Sequence, residues 1–136
     1  MKIKLDEGAF CPTRAHSTDA GIDLYSREKR IIHAGESACF DTGVHVQLPV
    51  GCCGLLVSKS GLNVRSNITS TGLIDEGYSG SIIVKLYNHG DREVLIDAGD
   101  KISQMIVVPV RYDPIQVVDE ISGGARGESG FGSTGR

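Results

Sequence analysis

Asp75 and Tyr78 lie three positions apart in residues 72–85, where an apolar run ends on an acid, and a glycine-containing turn leads into an apolar strand. This pattern predicts a hairpin with a tight turn. A carboxylate and an aromatic ring at the rim of a rigid hairpin form a candidate reactive site, because hairpin backbone groups can also recognise a flat ligand. The alternative is that the Asp and the Gly only form the turn, with Tyr78 packed beside it.

A basic residue, a hydroxyl and a glycine, Lys59, Ser60 and Gly61, follow a predicted strand. Lys59 offers a positive charge, Ser60 offers a donor, and backbone N–H groups near Gly61 can surround an anion. We expect one short helix in the chain, over residues 60–65. Residues 58–63 are therefore a candidate phosphate cradle, and the alternative is a polar turn that binds no ligand.

Two more polar residues lie within predicted strands. Asp23 follows Gly21, which marks a bend or a close approach of backbones. Asp23 can bind a hydroxyl or lie behind the direct ligands of a metal, or it is an exposed strand acid. Gln104 interrupts the apolar run 101–109. Because a buried amide needs partners, Gln104 either bonds to the backbone or faces a ligand.

Residues 122–136 are rich in glycine and serine. A flexible tail is the simple interpretation, but Phe131 and the paired hydroxyls Ser133 and Thr134 fit it poorly. A G-x-G-x-x-G match in this segment is no dinucleotide fingerprint, because a single residue follows it and no helix can start there. We interpret the segment as a mobile strap in which Arg126 and the hydroxyls hold phosphate and Phe131 stacks on a base.

The composition fits one compact domain. The chain has 136 residues, 40% of them hydrophobic, which is enough for a core and too many for a disordered chain. A net charge of −3 argues against nonspecific binding to nucleic acid or a membrane. No run approaches the ~18 apolar residues of a membrane span. Charge interrupts the first residues at once, so we expect no signal peptide.

The four cysteines are Cys11, Cys39, Cys52 and Cys53. They show no CxxC or Cys/His spacing, so neither a zinc site nor a disulfide framework is supported. We expect reduced thiols in a cytoplasmic protein.

The 18 glycines and the short β-branched runs, separated by Gly, Asp or Asn roughly every ten residues, predict an all-β sandwich, jelly roll or barrel. We expect the β domain to span residues 1–121 and the strap to span residues 122–136. Strands are expected near residues 3–5, 22–25, 30–33, 38–40, 44–48, 51–57, 82–87, 94–96 and 101–109.

Five segments occur in a fixed order, at residues 20–24, 59–62, 72–80, 99–104 and 126–135. Together they resemble the five motifs of the homotrimeric deoxyuridine triphosphate nucleotidohydrolases, the dUTPases, over essentially the whole chain. The resemblance implies a jelly-roll subunit and a homotrimer with three active sites. Each site would take its first, second and fourth motifs from one subunit, its third from a neighbour and its fifth from the remaining one.

The reaction implied by the resemblance is hydrolysis of dUTP to dUMP and pyrophosphate, which limits uracil in DNA and supplies dUMP for dTMP synthesis. Asp75 resembles the general base that deprotonates a water for in-line attack at the α-phosphorus. Tyr78 resembles the residue that packs against deoxyribose and excludes a 2′-hydroxyl. Asp23 resembles the acid that holds Mg²⁺ through water, with the metal bound through the triphosphate.

The resemblance also implies the substrate contacts. Uracil would be recognised by hairpin backbone groups at Gly72, Leu73, Ile74 and Ile83. Phosphate would be contacted by Lys59, Ser60, Gly61 and Gln104. The strap would close over the γ-phosphate and uracil through Arg126, Phe131, Gly132, Ser133 and Thr134.

One departure concerns the second motif, which usually has Arg-Ser-Gly where this chain has Lys59-Ser60-Gly61. Lysine keeps the charge but lacks the bidentate fork of arginine. Two alternatives stay open. A dCTP deaminase-type enzyme of the same fold should lack the Asp75/Tyr78 pair and Phe131. A noncatalytic trimeric module would bind a nucleotide or a protein partner, although Asp75 argues for catalysis. We expect the protein in the cytoplasm, or in the host cytoplasm if the chain is viral.

Overall fold

The computed structural model describes residues 1–124 and 127. These residues form ten strands and one helix, and each predicted strand overlaps an observed one. The expected helix is present as α1 (Ser60–Ser66). The strands are β1 (Lys2–Leu5), β2 (Ile22–Tyr25), β3 (Arg30–Ile32), β4 (Ser37–Asp41), β5 (Val44–Gln47), β6 (Cys52–Ser58), β7 (Ile68–Ile74), β8 (Ile83–Asn88), β9 (Val94–Ile96) and β10 (Lys101–Pro109).

Six strands form the main sheet, in the order β2-β10-β6-β7-β8-β4, and two ribbons, β1–β5 and β3–β9, complete the fold. Adjacent strands are antiparallel. The long strand β10 pairs with β2 along one edge and with β6 along the other. It therefore brings the first, second and fourth motif segments to adjacent strands.

One hydrophobic core lies against the main sheet. Side chains alternate along β8, so that Val84 and Leu86 are fully buried and their neighbours face outward. Phe40 of β4 and Leu24 of β2 are also fully buried. Each such burial contributes roughly 1.5–3 kcal/mol to the free energy of unfolding. Alternation of buried and exposed side chains along the strands thus builds the core.

Helix α1 follows β6 directly and is short because Asn67 ends it. Asn67 adopts the left-handed conformation (φ 53°), and its N–H bonds the carbonyl oxygen of Asn63 at 3.0 Å. No residue of α1 is buried, but Leu62 packs against the core. The helix therefore begins within the candidate phosphate cradle, residues 58–63, and β7 starts directly after Asn67.

Beyond β10 the chain continues as a C-terminal arm, residues 110–121, which contains no strand in the described part. Its apolar side chains face solvent, with Ile115 98% exposed and Val117 95% exposed. Within residues 1–124 and 127, no helix is long and apolar enough to cross a membrane. The all-β prediction with one short helix is confirmed, and the division of the chain at residue 121 stays a prediction.

Candidate active site

Asp23 is buried (3% exposed), although it lies on the edge strand β2. Its Oδ1 lies 2.6 Å from Nζ of Lys59, and its Oδ2 lies 2.7 Å from Nζ of Lys101. The interpretation of Asp23 as an exposed strand acid is wrong. The edge is covered because the Asp23 N–H bonds the Thr13 carbonyl oxygen at 2.7 Å and the two lysines close over the carboxylate.

The Asp23 carboxylate and the ammonium groups of Lys59 and Lys101 stabilise one another's charged forms. Burial raises the pKa of Asp23, but hydrogen bonds from Lys101 and Lys59 outweigh burial and hold that pKa below its ordinary value. The hydrogen bond to Asp23 raises the pKa of Lys101. One carboxylate between two ammonium groups leaves a net positive charge at the cradle, which suits a polyanion.

Gln104 lies directly across from Asp23 on β2 and from Val57 on β6. Its Nε2 donates to the Ser58 carbonyl oxygen at 3.1 Å. Of the two predicted roles, the structure shows the bond to the backbone. A Cβ on Gly21 would collide with the Gln104 side chain, so Gly21 leaves room for that side chain rather than for the expected second backbone. Gln104 thereby fixes the end of β6 from which Lys59 projects.

A cavity of about 370 Å³ opens beside this cluster, and Lys59, Gly61, Arg65 and Lys101 are among the residues that line it. Ser60 begins α1 next to it. Sequence reasoning missed Lys101 and Arg65. Arg65 follows Gly61 by four positions, so the predicted helix would have placed both on one face. Lys101 gave no comparable signal, because its meeting with Asp23 depends on the pairing of β10 with β2.

Asp75 and Tyr78 lie on the connection between β7 and β8. The Tyr78 N–H bonds the Asp75 carbonyl oxygen at 3.1 Å, which closes the predicted turn. The Tyr78 hydroxyl donates to the Ser81 carbonyl oxygen at 2.9 Å, and its ring lies over Gly80. The bond to Ser81 therefore holds the Tyr78 ring in place. Asp75, three positions earlier in the same connection, is exposed to solvent.

The prediction of a tight hairpin is wrong in one respect, because the two strands are not paired next to the turn. Within residues 1–124, pairing of β7 with β8 covers only Ile68–Ser70 against Leu86–Asn88. Toward its end, β7 pairs with β6, whereas the start of β8 pairs with β4. The strands separate because Ile82 is drawn to β5, where its N–H bonds the Val44 carbonyl oxygen at 2.8 Å.

This separation leaves backbone edges of the two strands facing each other without a partner in the described part of the chain. The four residues proposed to recognise uracil, Gly72, Leu73, Ile74 and Ile83, lie along these edges. Backbone groups there need hydrogen-bond partners, and a flat heterocycle can supply them.

The structure does not bring the hairpin and the cradle together within one chain. In the β6–β7 register, Gly54 faces Ile74, so Asp75 lies level with Cys53 at the start of β6. Lys59 follows the other end of β6. Six residues of extended strand separate the two levels by about 20 Å. Asp23 and Gln104 lie toward the Lys59 end, level with Val57 of β6, so they too are remote from Asp75.

The strap residues Arg126, Phe131, Gly132, Ser133 and Thr134 lie outside the described residues, and their roles stay predictions.

The residues around Asp23 do not form a resident metal site. Both oxygens of Asp23 already accept an ammonium group, and within the described residues no group of three or more His, Cys, Asp or Glu side chains could hold a metal. A carboxylate has about four lone-pair sites, so Asp23 can still accept a bond from a metal-bound water. The donor set therefore fits a metal ion that enters with a triphosphate.

Comparison with known proteins agrees with this arrangement. The family model named dUTPase matches residues 8–135. A deoxyuridine 5′-triphosphate nucleotidohydrolase of Clostridium acetobutylicum is 42% identical over 99% of this chain and 96% of its own length. The protein of the same name from Crocosphaera subtropica is 43% identical over 98% of this chain and 96% of its own length.

Solved structures of dUTPases are also similar to this chain. The dUTPase of Staphylococcus bacteriophage 80alpha, determined with dUpNHpp, superposes with a TM-score of 0.92 at 32% identity and covers 99% of this chain and 98% of its own. A mutant dUTPase of Staphylococcus aureus phage phi11, described for its coordination of a structural Mg(II) ion, has a TM-score of 0.80 at 30% identity and covers 88% of this chain and 96% of its own. The chain thus belongs to the dUTPase family.

Proposed function

We propose that this protein hydrolyses dUTP to dUMP and pyrophosphate at sites that two or more copies of the chain build together. The relatives named as deoxyuridine 5′-triphosphate nucleotidohydrolases and the phage structures with dUpNHpp support this substrate. In this proposal the cationic cradle binds the triphosphate, and Asp75 activates the attacking water.

The observation that carries the shared site is the separation of Asp75 from Lys59 across the length of β6. Neither side chain can span about 20 Å, so both can act on one triphosphate only if they come from different copies. The apolar side chains of the C-terminal arm support assembly, because a row of exposed residues such as Ile115 and Val117 needs a covering surface. A homotrimer satisfies both requirements.

In this mechanism the cradle positions the triphosphate. Lys59 and Lys101 neutralise phosphate charge while Asp23 holds both ammonium groups in place. Arg65 adds a planar fork at the same cavity, which offsets the loss of the usual arginine at position 59. Mg²⁺ bound to the triphosphate would neutralise further charge, and Asp23 would hold it through a metal-bound water.

The hairpin of a neighbouring copy acts on the other end of the substrate. Asp75 accepts a proton from water, the water oxygen bonds the α-phosphorus, and the bond from that phosphorus to the bridging oxygen breaks to release pyrophosphate. Tyr78 packs against the deoxyribose, and the unpaired backbone edges at Gly72 and Ile83 recognise uracil. The Tyr78 ring fills the space that a 2′-hydroxyl would need, and its hydroxyl donates to the Ser81 carbonyl oxygen.

A substrate panel tests this function. Pyrophosphate release should be fast with dUTP, slow with UTP, dCTP and dTTP, and stronger with Mg²⁺ than with a chelator. Ammonia should not be released from dCTP, since its release would indicate a deaminase. Nucleotide binding without pyrophosphate from any of the four would indicate a noncatalytic module.

The role of Asp75 has its own test. Asp75→Asn should keep binding of dUpNHpp and lower turnover by at least ~10²-fold, because the amide cannot take the proton. Near-normal turnover would remove Asp75 from this role.

We further propose that the protein works in a reducing compartment such as the cytoplasm, which the free thiols of Cys11, Cys39, Cys52 and Cys53 support.

A further inference from the structure

The turn that carries Asp75 is tied to two other segments through its second residue, Glu76. Oε2 of Glu76 accepts the Gly51 N–H at 2.8 Å and the Tyr112 hydroxyl at 2.8 Å. Gly51 lies between β5 and β6, and Tyr112 lies in the C-terminal arm. One carboxylate oxygen thus joins the catalytic turn, a distant turn and the arm.

A second bond joins two of these three segments, the Gly51 turn and the arm. The Val110 N–H at the base of the arm donates to the Gly51 carbonyl oxygen at 2.8 Å. Gly51 has φ of +73°, a left-handed conformation in which other residues are strained. Its backbone therefore presents both groups, one to Glu76 and one to the arm, in a geometry that glycine suits.

The charges of the pair fit this arrangement. The hydrogen bond from Tyr112, followed by that from Gly51, lowers the pKa of Glu76, so the acid stays ionised. The hydrogen bond to Glu76 raises the pKa of Tyr112, so the phenol keeps its proton and stays the donor. Hydrogen bonds to an ionised acceptor are shorter and stronger than those between neutral groups.

Glu76 is adjacent to Asp75 in the turn closed by the bond from the Tyr78 N–H to the Asp75 carbonyl oxygen. Asp75, Glu76 and Tyr112 line one cavity of about 350 Å³. Fixing the Glu76 side chain at both donors limits rotation of the turn and so the direction of the Asp75 carboxylate. Tyr112 is 66% exposed, so this contact contributes little to the core.

We propose that Glu76 and Tyr112 are positioning residues, which lock the turn carrying Asp75 to the base of the C-terminal arm. This inference rests on the proposed function, because it assigns the lock to the turnover of dUTP. It also predicts that the arm and the catalytic turn move together.

Kinetics of matched variants test the lock. Glu76→Ala should lower kcat about 10-fold and leave KM and the Kd for dUpNHpp within about twofold, because a misplaced base slows chemistry without weakening binding. Glu76→Gln keeps an acceptor oxygen and should retain kcat within about threefold. Tyr112→Phe should fall between these variants, and adding it to Glu76→Ala should cost little more. Glu93→Ala removes an exposed carboxylate paired with His33 beside β9 and should match the unmodified protein.

Amide hydrogen exchange gives a readout independent of turnover. Exchange of the Tyr78 N–H should quicken in Glu76→Ala and Tyr112→Phe, and not in Glu93→Ala. Unchanged exchange, or a Glu76→Ala kcat equal to that of the unmodified protein, would overturn the lock. Equal losses in Glu76→Ala and Glu76→Gln would overturn it as well, because charge alone would then matter. Absence of dUTP turnover in the unmodified protein would instead remove the proposed function, and the exchange result would still decide whether the lock exists.

Discussion

Lys59 and Asp75 lie at opposite ends of β6, about 20 Å apart along the strand. Lys59 belongs to a cationic cradle, whereas the exposed carboxylate of Asp75 belongs to an open hairpin. Under the proposed function, the cradle supplies the cations that bind a triphosphate, and the hairpin supplies the carboxylate that activates water. Under that function, this relationship requires several copies of the chain to assemble before dUTP can be hydrolysed.

Asp23→Asn should lower the free energy of unfolding by about 1–3 kcal/mol at pH 7, since it leaves two lysines close together without their counter-ion. The pKa of Asp23 is depressed, so its stabilising contribution is present above the ordinary value of 3.8 and is lost as pH falls through the lower folded value. Urea unfolding at one protein concentration, at pH 7 and pH 3, should show a variant whose deficit in unfolding free energy is larger at pH 7 than at pH 3. An equal deficit at both values would contradict the ion pairs.

Lys59→Met should raise the KM for dUTP at least ~10-fold, because it removes a cation from the cradle while Lys101 still satisfies Asp23. Lys59→Arg should keep KM within about threefold, since it preserves the charge and adds a fork. Steady-state pyrophosphate release measures both variants. A Lys59→Met enzyme with an unchanged KM would show that the ammonium serves only to pair with Asp23.

Tyr78→Ala should raise UTP hydrolysis relative to dUTP, because the ring that fills the space of a 2′-hydroxyl is gone. Tyr78→Phe is the matched control, since it keeps the ring and loses only the bond to Ser81. The ratio of the two kcat/KM values is the measurement. If Tyr78→Ala leaves that ratio unchanged, Tyr78 does not select the sugar.

Ending the chain after Ser122 should leave a folded protein with poor turnover, since the residues assigned to phosphate and uracil closure are then missing. Circular dichroism and size-exclusion chromatography report the fold and the assembly, and pyrophosphate release reports activity. Full activity of the shortened chain would refute the strap.

Local sequence patterns predicted the parts of this fold that depend on near neighbours. The helix from Ser60 follows from the short polar segment after β6. Gly21 signals a crowded position, but not the Gln104 side chain that crowds it. The apolar run at residues 82–87 likewise predicted strand β8.

Other features depend on which strands pair, and local patterns carry little of that information. The burial of Asp23 and its bond to Lys101 require β10 to lie beside β2. The opening of the hairpin depends on the bond from Ile82 to Val44 of β5, which is remote in sequence. The role assigned to Glu76 likewise depends on Tyr112, which is remote in sequence.

The most direct test of the central claim mixes two impaired chains. Lys59→Met and Asp75→Asn subunits are unfolded together, refolded at equal ratio and assayed at low dUTP. If each site takes Lys59 from one subunit and Asp75 from another, random trimers contain about one quarter intact sites. The expected turnover is about a quarter of that of the unmodified protein, well above the mean of the two parents. Turnover no greater than that mean would contradict a site shared between subunits.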